Sequence, residues 1–184
     1  MSRATRLGNH IERTVTGPMW HGPALLEVLD GVDAARARAH PIAGAHSIWE
    51  IVKHVTAWAE IARQRIHGEA LGDPTAEQDW PAIGDNRTVS AVSDTTSDPT
   101  SDTTSDPTSD TTSDPTSDPE SEWRRAVERL KESHRRLAAD VRQLDDAALD
   151  ARVKTLDYPV GILLDGVVEH GTYHGGQIAL LKKA

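Results

Sequence analysis

The spacing of apolar residues after position 120 most constrains what this chain can fold into. Trp123, Val127, Leu130, His134, Leu137, Val141 and Leu144 follow one another at alternating steps of four and three. Such steps keep one stripe of side chains on a single face of an α-helix, and a stripe this long has to be buried against other helices. Asp118 and Pro119 stand just before it as N-cap and first-turn residue, which places the helix start. From Ser47 to His67, Ile48, Ile51, Val52, Val55, Trp58, Ala59, Ala62 and Ile66 make a second stripe. Ser47 and Glu50 match a capping box at its start, and His67 with Gly68 suits its stop. A last helix is expected over about 159–183, and a first over about 3–16, with Leu7, Ile11 and Val15 inward and Gly17-Pro18 ending it. A short piece opens at Pro23 and carries Leu25, Leu26, Val28 and Leu29. No segment alternates with period two, so strands are not expected. Four main amphipathic helices imply an all-α chain built as a four-helix bundle, one domain over residues 1–184.

One segment cannot join that core. Residues 93–116 are three perfect copies of Ser-Asp-Thr-Thr-Ser-Asp-Pro-Thr, followed by Ser117-Asp-Pro. A repeat without an apolar residue has no face to bury, so it builds no solenoid, and its acidic, proline-punctuated composition predicts disorder. It reads as an insertion over about 87–119, between the second and third helices. The repeat and its truncated fourth copy also account for most of the net charge of −9, because seven of the 29 acidic residues lie in them and leave 22 against 20 basic ones. That balance gives no nucleic-acid footprint, and Arg124-Arg125 and Arg135-Arg136 read as a solvated helix face. A chain without cysteine has no disulfide, zinc ribbon or thiol nucleophile. No signal peptide or membrane-spanning run is visible, so a soluble, cytoplasmic protein is expected.

The last helix holds an anomaly. Leu163, Val167, His170, His174, Gln177 and Leu181 fall on one seam, where Leu or Val belongs. Two imidazoles one turn apart can grip one metal ion; two buried, hydrogen-bonded histidines are the competing reading. His54, in the middle of the second helix and one turn before Trp58, borders the core. A bundle brings mid-helix positions together, so His54 with His170 and His174 would make a three-nitrogen site with open positions. Gly171 follows His170 where a zincin needs glutamate, which removes the metalloprotease mechanism. The glycines at 166, 171, 175 and 176 are costly in a helix, and either close helix approach or room for a ligand explains them.

Trp20-His-Gly-Pro, His46-Ser-Ile-Trp-Glu-Ile-Val-Lys-His-Val-Thr-Ala-Trp, Asp79-Trp-Pro, Glu132-Ser-His-Arg-Arg-Leu and Glu169-His-Gly-Thr-Tyr-His-Gly-Gly-Gln-Ile-Ala-Leu-Leu together resemble the DinB-like (YfiT-like) superfamily of metal-dependent four-helix bundles. The resemblance spans nearly the whole chain except the repeat. It implies that His54, His170 and His174 bind a divalent cation, Zn²⁺ or Ni²⁺, in a bundle of up-up-down-down order. It also implies a small-molecule substrate, with a low-molecular-weight thiol as co-substrate of an S-transferase or isomerase. A metal-dependent hydrolase and a non-catalytic metal-binding bundle are the alternatives, and a homodimer is compatible with either. No catalytic acid or base is assigned. Glu50 is taken up by its capping box, and Glu169 points away from His170 around the helix. His134 reads as a hydrogen-bonded core histidine or a contact behind the site, and His21 as a residue at its mouth. His46 reads as a surface or loop residue, while His10 and His40 have no constellation around them. Gln177 either orients what the metal binds or bonds the backbone. Deleting residues 93–116 should leave the melting temperature and the metal content of the purified protein unchanged; a loss of either would show that the repeat is part of the folded unit.

Overall fold

A computed structural model describes residues 1–69, 72–84 and 118–184. The octapeptide copies, and the expectation of disorder attached to them, lie outside the described residues. Four long helices carry the core: α1 (Arg3–Thr16), α4 (Ile48–Ile66), α6 (Pro119–Val141) and α8 (Val160–Leu181). Four short ones fill the connections: α2 (Leu25–Leu29), α3 (Ala34–Arg38), α5 (Ala76–Asp79) and α7 (Asp146–Asp150). There is no strand among the described residues, only an isolated bridge between Arg152 and Pro159.

Local chemistry fixes the helix starts. Ser47 Oγ accepts from the Glu50 N–H at 3.2 Å, and Glu50 Oε2 accepts from the Ser47 N–H at 2.7 Å, so two otherwise unpaired donors are satisfied reciprocally. Asp118 caps α6, with Pro119 in its first turn. Gly17 ends α1 at φ +74°, a conformation that favours glycine. The expected seam of α6 is buried at Trp123, Leu130, His134, Leu137 and Val141. The helix stops there, and Leu144 falls in the following turn.

α1 packs against α6 and α8, and α4 packs against the same two. Two apolar clusters stacked along the long axis show which way each helix runs. One gathers Val15 from the end of α1, Trp49 and Val52 from the first half of α4, Trp123 from the start of α6, and Ile178 from the end of α8. The other gathers Ala4, Ala62, Val141 and Leu163 from the opposite ends of the same helices. So α1 and α8 run one way and α4 and α6 the other, an up-down-down-up order. The expected up-up-down-down order is corrected. The reason is that α2 and α3 return the chain to the end where α1 finishes, so α4 has to run back. The long crossover then falls between the parallel α4 and α6, which is where the repeat was placed.

The short helices close the ends. Trp123 Nε1 donates to the Val32 carbonyl at 2.7 Å, and Arg36 Nη2 donates to the carbonyls of Leu181 and Lys182 at the end of α8. Trp49 and Trp123 meet at 5.2 Å between ring centroids, under the Arg38 guanidinium.

Two glycines of α8 separate packing from propensity. A Cβ on Gly171 would lie 2.5 Å from Thr14 Cγ2 of α1, so the two helices meet there in a contact only glycine allows. A Cβ on Gly176 would meet nothing within 4 Å. Gly171→Ala should therefore cost about 1–3 kcal/mol despite its better helix propensity, while Gly176→Ala should gain up to about 1 kcal/mol. Thermal or urea melts of both variants check this. Thr14→Ser, which removes the offending methyl, should restore much of the loss in Gly171→Ala.

Candidate metal centre

α4 and α8 are antiparallel neighbours, and their middles bring three histidines to one point. His54 Nε2 lies 2.8 Å from His170 Nε2, and His170 Nε2 lies 3.0 Å from His174 Nε2. All three offer a ligand atom within 4.8 Å of the others. His170 and His174 share a face because they are one turn apart, and His54 comes from across the interface. Zinc–nitrogen bonds of about 2.1 Å in a tetrahedron would set such nitrogens about 3.4 Å apart, so a cation fits after a shift of a few tenths of an ångström.

The outer nitrogens are held so that the inner ones face the centre. His54 Nδ1–H donates to the Asp79 carbonyl at 2.7 Å, with Asp79 Oδ1 at 3.2 Å. His174 Nδ1–H donates to Gln177 Oε1 at 2.6 Å. Both acceptors keep the proton on Nδ1 and leave a lone pair on Nε2, the tautomer a metal needs. Asp79 is fixed in turn by Trp58 Nε1–H at 2.6 Å, and Gln177 donates to the Tyr173 hydroxyl at 2.9 Å. Burial, helped by the neighbouring charges of His174, His54 and His134, pushes His170 down to about 3. Burial and then His54 take His174 down to about 4, with the Gln177 bond pulling the other way. His54 is lowered by burial against the upward pull of Asp79. All three rings are therefore neutral at pH 7, as metal ligation requires.

Aromatic rings wall the site. Trp80 stacks on His54 at 3.9 Å between centroids and on His46 at 3.5 Å, both nearly parallel. The triad forms part of the wall of a cavity of about 910 Å³ between α4, α8 and the loops beside them. Gly166 also lines it, and a Cβ there would meet nothing within 4 Å. Two of the α8 glycines thus answer to the two expected explanations, Gly171 to close helix approach and Gly166 to room, while Gly176 answers to neither.

The other candidates disperse. His134 is 1% exposed, and its Nδ1–H donates to the Leu130 carbonyl at 2.9 Å, so it is a core histidine and stands outside the triad. His21 lies 3.4 Å from Thr172 Oγ1 and does not line the cavity. His46, read as a surface residue, is exposed but belongs to the cavity wall. Glu50 completes its capping box and also accepts from His40 at 3.0 Å, while Glu169 is exposed. Gln177 orients His174 rather than the backbone. Sequence reasoning gave no role to Asp79, Trp80, Trp58 or Tyr173. The word Asp79-Trp-Pro was the available signal, but nothing in its spacing ties it to a histidine 25 positions earlier.

The described residues thus make an all-helical protein with a histidine cluster able to hold a metal ion. A family model described as the DinB superfamily matches residues 20–178, and the chain belongs to that family. No curated protein and no solved structure matches the chain. No helix among the described residues is long and apolar enough to cross a membrane.

His134 gives the site region a signature in acid. Burial holds its pKa at about 4, against about 6.5 in an unfolded chain. Above both values neither state binds the proton and nothing is lost. Between them only the unfolded chain takes it up, so stability falls as pH drops from about 6.5 to 4, by up to about 3 kcal/mol. Urea melts of metal-free protein should show a slope to which His54, His170 and His174 add, and His134→Leu should reduce it by the share of one group. An unchanged slope would show that His134 titrates normally in the folded state.

Proposed function

We propose that residues 1–184 form one four-helix-bundle domain in which His54, His170 and His174 hold a divalent cation, Zn²⁺ or Ni²⁺, and that the protein is a metal-dependent enzyme. The favoured reaction class is transfer or isomerisation with a low-molecular-weight thiol as co-substrate. The single observation that carries this reading is the convergence of three neutral Nε2 atoms on the wall of a large open cavity. A closed structural site normally takes four protein ligands, and three histidines are the whole group among the described residues. The cavity beside them leaves room for a reactant, which a purely stabilising ion does not need.

A divalent cation at this point supplies Lewis acidity, lowering the pKa of a thiol or water and polarising a substrate. The chain's own residues do the rest. The Asp79 carbonyl and Gln177 hold the imidazole planes, so the ligand set is formed before anything arrives. Trp58 and Trp80 cover the triad and exclude water from that side, which strengthens electrostatic interactions within. Asp79, the carboxylate in the lining, is engaged by Trp58 and His54 and serves as a positioning group.

Purified protein should carry about one equivalent of metal by elemental analysis. His54→Ala, His170→Ala and His174→Ala should each lose it while keeping the helical circular dichroism of the parent. Gln177→Ala should bind the ion about 10–100-fold more weakly. Full metal retention in all three histidine variants would overturn the site. In the loaded protein, turnover of electrophiles with small thiols should disappear on chelation and return with metal; turnover indifferent to chelation would overturn the reaction class.

A further inference from the structure

The cavity has a chemical bias that the histidines alone do not explain. Among the described residues that line it there is no lysine and no arginine. Its single carboxylate, Asp79, is engaged with Trp58 and His54. The walls are aliphatic and aromatic, with Leu163, Val167, Ile51 and Tyr158 among them. At the mouth stand Ile42, Ile162, Tyr173 and Leu180, which are 45, 57, 64 and 66% exposed. They are four of the six large apolar side chains left exposed among the described residues, the others being Met1 and Trp20. A soluble surface scatters such residues singly, so their collection around one opening marks a binding face. The face is concave, and its volume lies in the range of small-molecule sites.

We infer that this cavity selects an uncharged, largely apolar substrate, which lays its chain along the aliphatic wall and presents one polar head group to the triad. An anionic group held away from the triad would meet no lysine or arginine in the described lining and would give up its hydration without compensation. In the thiol-dependent reading the apolar partner of the reaction occupies the cavity. The inference rests on the proposed metal site only for the head group; the selection for an apolar chain depends on the walls.

Titration calorimetry with unbranched thiols separates the two. The probes are butane-1-thiol, hexane-1-thiol and octane-1-thiol, with 6-mercaptohexanoate as the charged counterpart of the middle one. Each is measured on zinc-loaded and on chelator-stripped full-length protein. Affinity should rise up to about fourfold per methylene in both forms, the value for full burial of a CH₂. 6-Mercaptohexanoate should bind at least about tenfold more weakly than hexane-1-thiol, a difference expected from one uncompensated charge. Ile162→Lys, a change at an exposed position, should flatten the chain-length slope and narrow that ratio. A missing slope, or equal binding of the carboxylate by the parent protein, would overturn the inference. An intact slope with no difference between loaded and stripped protein would support the apolar cavity while removing the metal reading. If no thiol binds and Ile162→Lys converts a dimer to a monomer in sedimentation, the apolar rim is an interface between two copies, and the inference falls.

Discussion

Three imidazoles can present their Nε2 lone pairs to one metal ion only if all three are uncharged and carry their protons on Nδ1. Everything around the triad serves that condition. The helices bury the rings, which disfavours protonation. The Asp79 carbonyl and the Gln177 amide oxygen take the Nδ1 hydrogens of His54 and His174, leaving lone pairs turned inward. Without these acceptors the rings could turn or change tautomer, and the cluster would lose its common point. The site is thus specified as much by the groups behind the histidines as by the histidines.

The same condition explains why the connection between α4 and α6 is more than a link. Because those helices are parallel, the chain has to travel back along the molecule. It uses the journey to set α5 and Trp80 against His54. Trp58, one turn beyond His54 on α4, donates to Asp79 and pins the returning chain to the helix it has just left. On the far side of α8, the contact of Gly171 with Thr14 draws α1 close. The helix bearing two of the three histidines is therefore gripped on both flanks, which keeps its inward face in register with α4.

Much of this was legible in the residues. The four long helices follow from apolar periodicity, and two of their starts from Ser47-x-x-Glu and Asp118-Pro, because caps and stripes are local. The histidine pair was legible because it stands on the α8 seam where aliphatic residues belong, whereas His54 only borders its stripe and joined the pair mostly through the resemblance to DinB-like proteins. Helix direction was not, since a stripe of apolar residues looks the same whichever way the helix runs. The five-residue helices α3 and α7 and the four-residue α5 are shorter than the window over which a period can be read. Asp79 and Trp80 escaped for a related reason: their role exists only through contacts made across the fold. Gln177 was singled out by its seam position, but only the geometry shows its oxygen on His174.

The crossover also has two parts with different obligations. Up to Gly84 it contributes to the centre through Asp79 and Trp80, and from Asp118 onward it is committed to starting α6. No residue of the described site lies between those anchors. Joining fixed points by a longer tether costs only about 0.6 kcal/mol per doubling of its length. The described site therefore places no requirement of its own on the number of octapeptide copies.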